Sequence, residues 1–86
     1  MEKSKFTQAY ATLLETLRDA RRAAGLTQAQ LADKLSKTQS FVSKIEKGEL
    51  RLDVIQLREL CLMLGTTLPN LIADFEKRLA KSRRRS

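Results

Sequence analysis

Between Thr38 and Lys47 the chain reads TQSFVSKIEK. Helical spacing puts Gln39, Ser40, Ser43, Lys44 and Lys47 on one side of this stretch and Val42 and Ile45 on the other. An amide donates and accepts hydrogen bonds at once, a hydroxyl does either, and an ammonium donates and carries charge. A row of such groups suits recognition of a polar, anionic surface and makes or breaks no covalent bond. The rest of the chain points the same way. It contains no His, so no Cys/His metal site can form. We find no Gly-rich phosphate loop and no nucleophile–base arrangement. The one cysteine, Cys61, cannot form a disulfide within the chain, and its place on an apolar stripe makes it a small core residue. No catalysis, cofactor or metal is expected.

The polar row needs a scaffold. From Gln28 to Leu35 the apolar positions Ala29, Leu31, Ala32 and Leu35 describe a short helix, with Thr27 able to cap it. The periodicity breaks at Ser36, Lys37 and Thr38 and resumes at Phe41, Val42 and Ile45, until Gly48 ends the second helix with a left-handed cap. A turn of about three residues makes the two helices cross steeply, and Ala32 is small at their closest approach.

That spacing, over LTQAQLADKLSKTQSFVSKIEKGE, resembles the helix-turn-helix of the phage Cro/repressor-type, or XRE, family. The resemblance lies in Thr27-Gln28 opening the first helix, Ala32 at its fifth position and Ile45-Glu46-Lys47-Gly48 closing the second, and it runs from about Leu17 to Leu71. One position departs from the pattern: the turn residue often Gly in the family is Ser36 here, and a positive φ there costs roughly 1 kcal/mol relative to Gly.

The resemblance implies an all-α, five-helix, lambda-repressor-like domain with the helix-turn-helix at helices 2 and 3. It implies that the recognition helix, about residues 38–47, lies in the major groove of double-stranded DNA. Thr38, Gln39, Ser40, Ser43 and Lys44 are then the base-edge candidates, Gln39 for adenine and Lys44 for guanine. Gln28 is the phosphate clamp that relatives place at this helix start, joined by Lys37, Lys47 and Arg51 as further phosphate candidates. In the family an Arg at the position of Arg21 often pairs with the Glu near the end of the recognition helix, here Glu46; the alternative is that both are solvated. Phe41 either packs on the first helix of the motif or touches a thymine methyl.

Taken in order, residues 1–5 are polar and fray. A first helix runs over 6–24 on the stripe Phe6, Tyr10, Leu13, Leu14, Leu17, Ala20 and Ala24, and Gly25 stops it. Asp53, with Gln56 in a capping box, opens a fourth helix whose inward stripe is Leu57, Leu60, Cys61 and Leu64. Ile55, Leu62 and Met63 lie off that stripe and suggest a subunit contact. Gly65 ends it, and Thr67 caps a fifth helix carrying Leu68, Leu71, Ile72, Phe75 and Leu79. Phe75 and Leu79 either pack on the first helix near Phe6 and Tyr10 or form a dimer interface.

Length and composition bound the rest. The 86 residues make one domain over 1–80, with a core at about 10–73 and a flexible basic tail at 81–86. That tail holds Lys81, Arg83, Arg84 and Arg85, which either solubilise the end or touch phosphate. A net charge of +7 and a pI near 10.1 favour an anionic partner. No apolar run reaches the roughly 18 residues of a membrane span, and the N-terminus lacks a secretory segment. The expected protein is a cytoplasmic, nucleoid-associated transcriptional regulator acting as a homodimer. Two readings compete with it. One is an antitoxin or restriction-control protein of the same fold, with a protein partner encoded nearby; the other is a protein-interaction module that has lost DNA readout.

Overall fold

A computed structural model describes residues 7–85, the side chains of 83–85 excepted. Its elements are α1 (Gln8–Ala23), α2 (Gln28–Lys34), α3 (Gln39–Glu46), α4 (Val54–Met63) and α5 (Leu68–Arg85), and no strand occurs among the described residues. The expectations for residues 1–5 and Phe6 fall outside that range.

The helix starts follow from local chemistry. Thr7, Thr27, Thr38, Asp53 and Thr67 each stand just before a helix and accept a hydrogen bond from the backbone N–H three residues on. At Asp53 the Gln56 side chain returns the bond, completing the expected capping box, and Gln30 does the same for Thr27. The ends of α1 to α4 share one device. A left-handed residue lets two backbone N–H groups reach back to otherwise unpaired carbonyls. Three ends use glycine, at Gly25, Gly48 and Gly65; the fourth, between α2 and α3, uses Ser36 at φ 57°. There Lys37 N–H donates to the Ala32 carbonyl at 2.8 Å and Ser36 N–H to that of Asp33 at 3.1 Å. The motif turn is therefore built with a serine where its three counterparts have no Cβ, at a cost of roughly 1 kcal/mol.

All five helices feed one core. Leu17 of α1, Leu31 and Ala32 of α2, Val42 of α3, Leu57, Leu60 and Cys61 of α4 and Leu71 of α5 are buried in a single cluster with Leu64. α2 packs on α3, α1 on both α3 and α5, and α4 on α5. Burial pushes the Cys61 thiol up, away from the reactive thiolate form. Among the described residues two uncharged polar side chains share the interior: Thr12 and Thr16 are buried in α1. Their hydroxyls donate to the carbonyls of Gln8 and Thr12, one turn back, which removes the need for a tertiary partner. Ala24, expected on the α1 stripe, is the exposed C-cap instead.

The segment at 81–86, expected as a flexible tail, is helical through Arg85. Nothing after Pro69 interrupts the helix, and Ala, Lys and Arg are strong helix formers. α5 is tied to α1 along its length: Arg78 Nη1 donates to Asp19 Oδ2 at 2.8 Å, and Gln8 Nε2 donates to Ser82 Oγ at 3.3 Å.

Candidate nucleic-acid interface

α3 divides into an inward and an outward side. Val42 and Ile45 are buried, each 2% exposed, so the helix cannot rotate without opening the core. Thr38, Gln39, Ser40, Lys44 and Lys47 are exposed on the other side, with Ser43 half-buried beside them. The structure thus brings the five base-edge candidates onto one ridge. Thr38 has a second duty there, since its Oγ accepts from the Phe41 N–H at 3.2 Å and caps the helix.

The C-terminal end of α3 is fixed by a buried ion pair. Arg21 Nε donates to Glu46 Oε2 at 2.7 Å and Arg21 Nη2 to Glu46 Oε1 at 3.1 Å. Arg21 Nη1 donates to the Leu26 carbonyl at 2.8 Å, in the connection between α1 and α2. Both side chains are almost fully buried, and the two-pronged geometry is the one that compensates for loss of water. Burial pushes the Glu46 carboxyl up. Hydrogen bonds from Arg21 and Gln28 and the charges of Arg21 and Arg18 outweigh it and hold the group below its ordinary value.

Gln28 has a place the sequence did not disclose. Its Nε2 donates to Glu46 Oε1 at 2.9 Å, and its Oε1 accepts from Gln39 Nε2 at 3.4 Å. It bridges the ion pair to the first residue of the recognition helix, so it orients Gln39 as well as standing at the start of α2. No sequence signal announces this, because Gln28 lies 11 and 18 residues from Gln39 and Glu46 and meets them only through the packing of α2 on α3.

Two of the flanking cations stand over aromatic rings. Lys37 lies before α3, with its ammonium 5.3 Å from the centre of the Phe41 ring. Phe41 itself is half-buried, lining a cleft with Leu35, Ile45, Leu52 and Leu60, which is the packing alternative for that residue. Arg51 lies in the connection after α3, with its guanidinium 4.3 Å from the centre of the Tyr10 ring.

The dimer candidates stand differently. Phe75 is half-buried and lines a recess with Tyr10 and Leu13 of α1; Leu79 is also half-buried. Among the described residues, the large apolar groups left in water belong to α4 and the connection before it. Val54 and Ile55 are each 62% exposed, followed by Leu62, Met63 and Leu50. Among the described residues no group of acidic, Cys or His side chains is arranged to hold a metal ion, and no helix is long and apolar enough to cross a membrane.

A helix-turn-helix family model matches residues 17–71, well over half of the chain. Among solved structures the chain is similar to an XRE-family like protein from Pseudomonas syringae pv. tomato str. DC3000. The two are 46% identical with a TM-score of 0.75, over 81% of this chain and 85% of that one. It is also similar to the clp gene regulator ClgR from Corynebacterium glutamicum, at 20% identity and a TM-score of 0.80 over 92% of this chain and 84% of that one. At that identity the second likeness shows the fold alone. No curated protein sequence matches the chain.

Proposed function

The chain belongs to the Cro/repressor-type, or XRE, helix-turn-helix family, and on that premise we propose that it is a sequence-specific, double-stranded DNA-binding transcriptional regulator. The observation that carries the reading is the outward side of α3, a ridge of exposed donors and acceptors held rigid by a buried inward side. B-DNA's major groove admits one such helix. Gln39 has two amide hydrogens; with one on Gln28, the other and Oε1 can pair with adenine N7 and N6. Lys44, one turn on, donates to guanine N7 or O6, and Ser40 and Ser43 add weaker discrimination. Lys37, Lys47 and Arg51 supply phosphate contacts on either side of the ridge, which fix register without reading sequence. The net charge of +7 adds a sequence-independent attraction.

One recognition helix reads only a few base pairs, so the working unit is a homodimer on an inverted repeat with half-sites 34–36 Å apart. The exposed side of α4, with Ile55 and Leu62 at its centre, is the apolar surface for the seam, with the half-buried Leu79 of α5 as a second candidate; Phe75 lies instead in the recess with Tyr10 and Leu13. Such a regulator works in the cytoplasm, on the nucleoid.

Selection from a random duplex pool at about 150 mM salt tests the reading, since non-specific affinity is then only roughly 10⁻⁴–10⁻⁶ M. An enriched inverted repeat with half-sites one helical turn apart is the expected outcome. A pool that stays random would remove sequence-specific binding. Sedimentation at high micromolar concentration, with and without the selected duplex, tests the dimer; a monomer in both would refute it.

A further inference from the structure

Two of the flanking cations share a feature that DNA binding of the family type does not by itself require: each stands over an aromatic ring. The chain has only three Phe and one Tyr, yet Lys37 lies over Phe41 and Arg51 over Tyr10. The second contact is the closer, at 4.3 Å, and it joins segments remote in sequence, the first turn of α1 and the connection from α3 to α4. We propose that Tyr10 is a positioning residue for Arg51, holding its guanidinium ready for a DNA phosphate next to the recognition helix. The proposal rests on the DNA-binding reading above.

The chemistry follows from the shape of the two groups. A guanidinium stacks through its flat face and gives hydrogen bonds along its edge. Stacking on Tyr10 is therefore compatible with a two-pronged contact to a phosphate. Arg51 is exposed and its backbone is not helical, so a long side chain at this point loses rotamer freedom when it binds. A ring beneath it removes part of that loss in advance. The ring is itself held: Tyr10 is half-buried on α1 and shares its recess with Leu13 of α1 and Phe75 of α5. The pairing of α1 with α5 thus reaches Arg51 through one aromatic ring. On this account Phe75 supports the platform.

The test is a double-mutant cycle on affinity for one duplex, measured across a salt series with wild type, Tyr10→Leu, Tyr10→Phe, Arg51→Ala and the Tyr10→Leu/Arg51→Ala pair. Circular dichroism at the binding temperature confirms that each is folded. Arg51→Ala should reduce the salt slope by about one unit, the signature of one lost phosphate. Tyr10→Leu should weaken binding about two- to fivefold, the range of an exposed cation–ring contact, and Tyr10→Phe, which keeps a ring, should restore it. In the Arg51→Ala background Tyr10→Leu should have no further effect. A loss from Tyr10→Leu that is equally large without Arg51, or a Tyr10→Phe variant as weak as Tyr10→Leu, would overturn the proposal. A second readout does not depend on the leucine variant folding. Tyr10 is the sole Tyr and there is no Trp, so intrinsic emission reports on this ring alone; Arg51→Ala should change it and Lys44→Ala should not. Equal emission from wild type and Arg51→Ala would also overturn the proposal. If wild type shows no salt-dependent DNA binding, the DNA-binding reading itself fails; if wild type binds and Arg51→Ala keeps the full slope, only the role given to Tyr10 and Arg51 fails.

Discussion

Glu46 and Gln39 stand at opposite ends of the same helix and meet the same side chain, Gln28. Around Glu46 everything is closed: the residue is 7% exposed, and its carboxylate accepts from Arg21 of α1 twice and from Gln28 of α2 once. Around Gln39 everything is open, with Thr38, Ser40 and Lys44 exposed beside it. The difference separates two tasks that one short helix has to perform. Its C-terminal end sets where α3 sits and how it is rotated. Its N-terminal end offers exposed hydrogen-bonding groups on a helix whose placement is fixed in advance by its buried side, so the backbone needs little ordering on binding. Substitutions at the two ends should therefore act on different observables, stability at one and discrimination at the other.

The largest effect belongs to the closed end. Arg21→Ala strands a buried carboxylate and should lower unfolding free energy by about 3–5 kcal/mol, read from a chemical melt. A melt matching wild type would remove the pair from the account. Acid acts on the same group. Because Glu46 lies below its ordinary value of 4.5 when folded, its contribution is complete above that pH and is lost as pH falls through the lower folded value. The Arg21→Ala variant should therefore lose less of its stability between pH 5 and the acid limit than wild type does.

At the open end, Gln39→Ala and Lys44→Ala should each remove about 1–3 kcal/mol of discrimination at one base position and leave the melt within about 0.5 kcal/mol of wild type. Repeating the duplex selection with each variant measures this. A variant that lost stability and kept its base preference would reverse the division of labour.

The turn between α2 and α3 offers a smaller change of opposite sign. Ser36→Gly removes the strain of φ 57° and should stabilise by up to about 1 kcal/mol, with base preference unchanged. Smallest is Lys47→Ala, which should reduce the salt slope by about one unit for all duplexes alike and change neither stability nor preference.

Much of this was legible in the sequence, and the boundary is physical. Thr27, the Asp53–Gln56 box and the left-handed Gly48 act within a few residues of themselves, so their type and spacing suffice. The leucine stripes were legible because burial repeats with the helix. Thr12 and Thr16 broke that reading, because a hydroxyl bonded to its own helix can be buried as readily as a valine. Ala24 broke it in the other direction, apolar by type but placed at a helix end. The bridge through Gln28 and the stacking of Arg51 on Tyr10 were not legible, since each depends on helices meeting in space. The Arg21–Glu46 contact was suggested by family likeness and not by spacing. The helical course of 81–85 ran against an expectation drawn from composition alone, where charge suggested a tail and propensity favoured a helix.

The central claim is that the exposed side of α3 meets the bases while the rest of the domain holds it still. Backbone-amide NMR, titrated with the selected duplex at about 150 mM salt, tests this most directly. The account predicts that the largest shifts fall on residues 38–44 and at the start of α2, with smaller shifts at 47–51 and near-constant positions through the buried turns of α4. Shifts concentrated on the outer side of α4 or along α5, with α3 unmoved, would contradict it.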